Sequence, residues 1–185
     1  AGVRALIPAE RRPHLVAFSF GAHVGTFAAA VLGDHIASFT VCGSAALDLP
    51  RDFIKYPKER RGMTEAERRA IHRGTLEALM ISKPERIDER AIDIQAANIP
   101  KARFKSREFA FTDQIKANIG RVAAPVNAIW GEFDVVSRPE AAFTVLRAAR
   151  PELESRMIAD SGHWVMYEQA DAYNKALLEL LALRS

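Results

Sequence analysis

The 185-residue sequence has a single cysteine, Cys42. No disulfide can form within the chain, which excludes a bridge-stapled secreted scaffold and fits a reducing compartment such as the cytoplasm. Placed after Phe39-Thr40-Val41, Cys42 reads as a small buried hydrophobe. Long apolar runs are missing too. The longest candidate, residues 18–32, falls short of the ~20 residues a spanning helix needs and contains Ser19, His23 and Thr26, so no membrane segment is expected. The opening Ala1-Gly2-Val3-Arg4 lacks the apolar core of a secretory signal, and no methionine starts it, which suggests processing or a start partway through a longer protein. Charge of one sign is also lacking. With 26 basic and 23 acidic residues the net charge is +3, too weak to point to nucleic acid. His14, His35 and His72 share no ligand spacing with one another or with Cys42, so no metal site is expected. There is no internal repeat and no low-complexity tract.

What is present is ordinary globular material: 49% apolar and 26% charged residues, enough for one domain with a sizeable core. His14-Leu15-Val16-Ala17-Phe18 is a short continuous apolar run, the pattern of a strand buried on both faces. Small residues follow from Ser19 to Gly25, then a helix over residues 27–32 that stops at Gly33. Residues 36–42 make a second strand, broken by Gly43-Ser44. From about residue 49 to 120 the texture becomes helical. Thr64 with Glu67 forms a capping box for a helix reaching Ile81. Pro84 starts another, with Ile87, Ala91, Ile92 and Gln95 on one side. Thr112 caps a short helix closed by Gly120. Met63, Leu79, Met80 and Phe104 read as packing residues of this block. Residues 51–110 hold 15 Lys/Arg against 10 Asp/Glu, so the segment is basic; this reads as a solvated face, with Arg103, Lys105 and Arg107 turned to solvent or holding a substrate carboxylate. Strand patterns resume at residues 126–130. A capping box of Ser137 and Glu140 opens a helix ending near Ala149, Met157-Ile158-Ala159 forms a last strand, and an amphipathic helix spans residues 171–183, with Tyr173, Leu177, Leu180 and Leu181 inward. Strands alternating with helices predict a mostly parallel sheet flanked by helices.

Chemistry concentrates at three places. In Ala17-Phe18-Ser19-Phe20-Gly21 a serine follows a strand directly and precedes a helix. Such a turn forces unusual dihedrals on the serine and lifts its hydroxyl clear of the sheet, while small residues two before and two after it let strand and helix approach. The helix start supplies positive potential and free N–H groups, and the Phe20 N–H would donate to a developing oxyanion. A serine needs a base. His163, in Asp160-Ser161-Gly162-His163-Trp164, follows the last strand and so falls on the same C-terminal sheet edge, where open α/β sheets place ligands. Asp134, in Trp130-Gly131-Glu132-Phe133-Asp134, falls there after the preceding strand. Glu132 is a rival at the strand end that faces elsewhere. Asp48 and Asp52, after the second strand, are an alternative acid position. His23 reads as a packed helix residue; Trp130 and Trp164 read as core, with Trp164 also a candidate substrate contact.

Taken together and in this order, "HLVAFSFGAHVG", "PVNAIWGEFDVVSRPE" and "DSGHWVMYEQ" resemble the nucleophile elbow, acid strand and histidine loop of the α/β-hydrolase family. The resemblance implies a partial hydrolase core over residues 1–49 and 121–185 and a helical cap inserted over 50–120. It implies a Ser19–His163–Asp134 triad acting through an acyl-enzyme, on a small ester or related carbonyl compound, without an organic cofactor. The cap texture of "AANIPKARFKSREFAFTD" is similar to bacterial hydrolases that include carbon–carbon bond hydrolases of aromatic breakdown. A peroxide-using haloperoxidase or perhydrolase would share the same triad. Two departures stand out. Ala17 replaces the first glycine of G-x-S-x-G. The family's earlier strands and its His-Gly loop, which gives a second oxyanion donor, have no counterpart in the 18 residues before Ser19. The chain is therefore expected to be truncated or completed by a second polypeptide or another copy over the exposed sheet edge, or to be a non-catalytic scaffold.

Overall fold

In the computed structural model, which describes residues 8, 10–50 and 54–183, the short apolar runs form one parallel sheet. Its four strands are β1 (His14–Phe18), β2 (Ser38–Cys42), β3 (Val126–Gly131) and β4 (Glu154–Ile158), hydrogen-bonded in the order β1-β2-β3-β4. Both central strands are buried along their whole length, as continuous apolar runs require in a sheet covered on two faces. The run at β1 was expected to be buried the same way. Among the described residues it stands at the sheet edge, the exposed edge expected above, and Val16 remains 38% exposed.

Register puts the strand ends level. Phe18 stands opposite Cys42, Cys42 opposite Ile129, and Gly131 opposite Ile158. In a parallel sheet every C-terminal end lies on one edge, so the residues after β1, β2, β3 and β4 are brought to a common rim.

Helices cover both faces. On one side α1 (Phe20–Leu32) and α5 (Pro139–Ala149) pack on β2 and β3, joining Ala22, Ala29 and Leu32 to Phe39, Val41, Ala128 and Trp130, and to Phe143 and Leu146. Ile115 and Ile119, from α4 (Gln114–Asn118) and the turn after it, belong to the same cluster. On the other side α6 (Val165–Glu168) and α7 (Ala170–Ala182) bring Val165, Tyr173, Ala176 and Leu180 against Cys42, Ile129 and Ile158. Leu177 and Leu181, expected inward, are only half-buried. The remaining helices, α2 (Glu65–Leu79) and α3 (Glu89–Asn98), share a smaller cluster of Leu76, Ile81, Ile87, Ala91 and Ile92.

Local signals were obeyed where nothing tertiary competed. Thr64 and Glu67 form the reciprocal capping box that opens α2. Elsewhere packing won. Helix α1 starts at Phe20, two turns earlier than the glycine-rich stretch suggested, because its buried side outweighs the low helix propensity of Gly21 and Gly25. Pro84 opens only a single 3-10 turn; α3 is capped by Asp88, whose carboxylate accepts from the Ala91 N–H at 2.8 Å. Thr112 caps nothing, since its hydroxyl donates to the Phe109 carbonyl at 2.7 Å. Ser137 is likewise drawn away, donating to the Ser44 carbonyl at 2.6 Å and accepting from Trp130 Nε1 at 3.0 Å, and α5 begins at Pro139 instead. Among the described residues, no helix is long and apolar enough to cross a membrane.

Cys42 has no solvent access and touches the Tyr173 hydroxyl at 3.4 Å; burial pushes its thiol up to about 11. A protonated, inaccessible thiol is inert. Iodoacetamide at about pH 8 is expected to leave Cys42 unmodified in the native protein and to alkylate it fully in denaturant, as read by intact mass.

Candidate active site

Ser19 links β1 directly to α1 and has φ 52° and ψ −123°, a conformation costly for a residue with a side chain, of order 1–3 kcal/mol. Neighbouring backbone holds it there. Its N–H donates to the Cys42 carbonyl at 2.9 Å, and its carbonyl accepts from Ser44 Oγ at 2.9 Å. Although it stands at the cap position of α1, its hydroxyl makes no capping bond and points to a different partner. That partner is His163 Nε2, 3.0 Å away.

The imidazole is 2% exposed and lies on the loop after β4. Its Nδ1 is 2.9 Å from Asp134 Oδ2. A carboxylate only accepts, so Nδ1 carries the proton and Nε2 presents its lone pair to the serine hydroxyl. Asp134 is itself buried. Its second oxygen accepts from the N–H groups of Val136 at 2.8 Å and Ser137 at 3.4 Å, which fixes the carboxylate plane. The hydroxyl, imidazole and carboxylate named from the sequence thus form one continuous hydrogen-bonded chain across the rim.

Two glycines leave room for it. A Cβ at Gly43 would come within 3.0 Å of Asp134 Oδ2 and 3.3 Å of His163 Nδ1, and its φ is +40°. A Cβ at Gly131 would stand 2.1 Å from the Gly162 carbonyl oxygen, so the acid loop and the histidine loop pack backbone to backbone. Sequence reading saw Gly43-Ser44 only as the end of a strand. Gly43 leaves room for the Asp134–His163 hydrogen bond, and Ser44 holds the Ser19 carbonyl.

The other expected residues are placed as follows. Phe20 is the first residue of α1, where an N–H has no partner within the helix. Its ring stacks on Phe104 at 5.3 Å and approaches Phe109 at 6.0 Å, so an aromatic group stands next to Ser19 in the chain. Phe18 packs against the His163 ring at 4.8 Å. Trp164 is half-buried beside Tyr167, at 5.7 Å between rings, and its N–H donates to the Met80 carbonyl. Glu132 accepts from the Asp160 N–H at 2.8 Å. Asp48 pairs with Lys116 at 2.9 Å, away from the chain of three groups, and Asp52 lies outside the described residues. Arg103 and Lys105 are exposed. Among the described residues, no group of three or more His, Cys, Asp and Glu side chains is arranged to hold a metal ion.

His23 is buried among Phe20, Phe27 and Phe109. Burial holds its pKa below the ordinary value, opposed in part by a hydrogen bond with Gln114. Its Nδ1 has no partner among the described residues.

A model of the Alpha/beta hydrolase family matches residues 1–176. Among solved structures, the chain is similar to a candidate aryl esterase from Burkholderia cenocepacia (19% identity, TM-score 0.75), covering 99% of this chain and 69% of that one. A thermophilic esterase from Thermogutta terrifontis is 18% identical with a TM-score of 0.69, covering 100% of this chain and 70% of that one. A meta-cleavage product hydrolase is 15% identical with a TM-score of 0.72, covering 98% of this chain and 68% of that one. At these identities the likeness is one of fold.

Small residues two before and two after Ser19 were expected to let strand and helix approach. Ala17, two before the serine, does so against Gly25, where a Cβ would meet Ala17 Cβ at 2.8 Å and the Phe39 ring at 3.0 Å; Gly21, two after it, does not, since a Cβ there meets nothing within 4 Å. Gly25→Ala is therefore expected to destabilise the fold by about 1–3 kcal/mol, and Gly21→Ala to be neutral or stabilising, in urea denaturation. The buried His23 generates an acid-side effect. Unfolded chains protonate this group near about pH 6.5, and the folded state resists protonation, so the unfolded state binds more protons below that value and stability falls as pH falls. Denaturation of His23→Phe is expected to show a shallower loss of stability between about pH 7 and 5 than the parent.

Proposed function

We propose that this chain, which belongs to the Alpha/beta hydrolase family, is a serine hydrolase that cleaves small esters or related carbonyl compounds through an acyl-enzyme. The single observation that carries the reading is the unbroken chain from Ser19 Oγ to His163 to Asp134, at 3.0 and 2.9 Å.

In this reading Ser19 Oγ attacks the substrate carbonyl carbon as its proton passes to His163 Nε2. The Asp134 carboxylate keeps Nδ1 protonated and stabilises the imidazolium that forms. The carbonyl oxygen becomes an oxyanion facing the Phe20 N–H at the start of α1, where the helix adds positive potential. Collapse breaks the bond to the leaving group, which takes the proton from Nε2. Water then attacks the acyl-serine with His163 as base, and the proton returns to Ser19 Oγ as the acid departs.

Residues 50–120 are read as a cap over this rim, and the rings of Phe20, Phe104 and Phe109 favour a flat apolar group on the substrate. That last feature supports a second reading, carbon–carbon bond hydrolysis of a diketone by the same three residues. The fold is shared with structures of an esterase and of a meta-cleavage product hydrolase, which agrees with either.

A fluorophosphonate probe is expected to label Ser19 in the parent protein and to leave Ser19→Ala unlabelled. Asp134→Asn, which favours the wrong tautomer, is expected to lower kcat on a nitrophenyl ester by about 10⁴ with little change in stability. Faster turnover of a vinylogous diketone than of the ester would favour the second reading. A parent protein that neither labels nor turns over either compound would mean a scaffold without catalysis.

A further inference from the structure

The histidine loop is held from outside the sheet by a carboxylate that the mechanism does not use. The Glu168 side chain, in α6, is fully buried. Its oxygens accept from the Gly162 N–H at 2.5 Å, from the Ser82 N–H at 3.0 Å and hydroxyl at 2.9 Å, and from the Lys83 N–H at 3.3 Å. Arg86 Nη1 lies 3.8 Å away. Gly162 immediately precedes His163, and Trp164, which immediately follows, donates its N–H to the Met80 carbonyl at 2.7 Å. Both backbone neighbours of the imidazole are therefore tied to residues 80–83. A third tie completes the clamp: Lys83 and Arg86 both pair with Asp160, which has φ 58° and begins the loop. There is no slack for a different path, because a Cβ at Gly162 would come within 2.9 Å of the Ser82 nitrogen and 3.1 Å of Glu168 Oε2.

We propose that Glu168 is a positioning residue that fixes the His163 loop against residues 80–86, so that the segment between α2 and α3 sets the imidazole's distance from Ser19. This rests on the reading of His163 as the base. An ionised carboxylate offers acceptors alone, and every group facing it is a donor: three backbone N–H groups, a hydroxyl and a guanidinium. Charge-assisted bonds of this kind are stronger than neutral ones, and a buried carboxylate is tolerable only when so surrounded. Replacing it by an amide puts an NH₂ group against N–H donors, and the Gly162 tie is the one that releases the histidine. An imidazole displaced by even ~1 Å can cost on the order of 100-fold in rate.

The test uses the full chain with Glu168→Gln, and Ser82→Ala as a milder variant that removes only the hydroxyl donor. Two quantities are read beside the melting temperature: kcat and KM for a nitrophenyl ester, and solvent exchange of the His163 Nδ1 proton by NMR. Glu168→Gln is expected to lower kcat about 10- to 100-fold with KM within about twofold, and to speed Nδ1 proton exchange. Ser82→Ala is expected to act in the same direction with a smaller effect, and it carries the test should Glu168→Gln fail to fold. Variants that melt earlier yet keep the parent's kcat and exchange rate overturn the proposal and leave the triad reading intact. A parent that does not label at Ser19 overturns the triad reading, while the exchange measurement still decides whether Glu168 holds the loop.

Discussion

The bond between the buried Asp134 carboxylate and His163 Nδ1 is the constraint on which the rest of the rim depends. A carboxylate without solvent access is costly unless its lone pairs are filled, and here they are: one oxygen by the imidazole, the other by the Val136 and Ser137 N–H groups. Removing either side chain leaves the other uncompensated. To make this bond, the loops after β3 and β4 must approach until their backbones touch. Gly131 against Gly162, and Gly43 beneath the imidazole, are the consequences. The loops are also cross-tied, Phe133 N–H to the Ser161 carbonyl at 2.8 Å and Asp160 N–H to Glu132 at 2.8 Å. The sheet supplies the level edge, and backbone contacts among the loops supply the last ångström.

The rim also explains why β2 matters although it carries none of the three reacting groups. Its last residue, Cys42, accepts the Ser19 N–H, and Ser44 just beyond it donates to the Ser19 carbonyl. Ser137 in turn donates to the Ser44 carbonyl and takes the Trp130 indole N–H. A string of bonds thus runs from the serine through the turn after β2 to the start of α5, a few residues from Asp134. The strained dihedrals of Ser19 are maintained by this surrounding frame, as strained residues at sites generally require.

Much of this was legible in the sequence because it rests on short-range order. Strands show as apolar runs, the box at Thr64 and Glu67 is a local exchange of hydrogen bonds, and a serine, an acid and a histidine each placed just after a strand must share an edge if the sheet is parallel. What escaped was set by partners far away in the chain. Ser137 and Thr112 carry cap chemistry but found other acceptors. Gly25 read as one more small residue of the stretch after Ser19 until Ala17 and Phe39 were seen against it, and Gly21, which fits the motif, borders open space. The partial exposure of β1 could not be read from its own five apolar residues, since burial depends on what lies beside a strand; the exposed edge was legible only from the missing earlier strands. Glu168 lies in the quoted histidine-loop stretch, but its partners at 82 and 83 lie more than 80 residues away and left no local signal.

The helical segment meets the sheet through polar ties as well as apolar packing, and the two differ in what they specify. Leu76, Ile81, Ile87 and Ile92 make a cluster that Trp164 and Tyr167 join from the histidine side. Such contact is non-directional and tolerates sliding. The bonds of Glu168, Asp160 and Trp164 do not, because each demands one donor at one place. Apolar contact therefore brings residues 80–92 down onto the loop, and the polar bonds choose the register in which it settles. The same bonds fix where the His163 main chain runs. The position of an imidazole on one element and the seating of a segment more than 70 residues earlier in the chain are then coupled through these ties, of which the buried Glu168 carboxylate makes the most bonds.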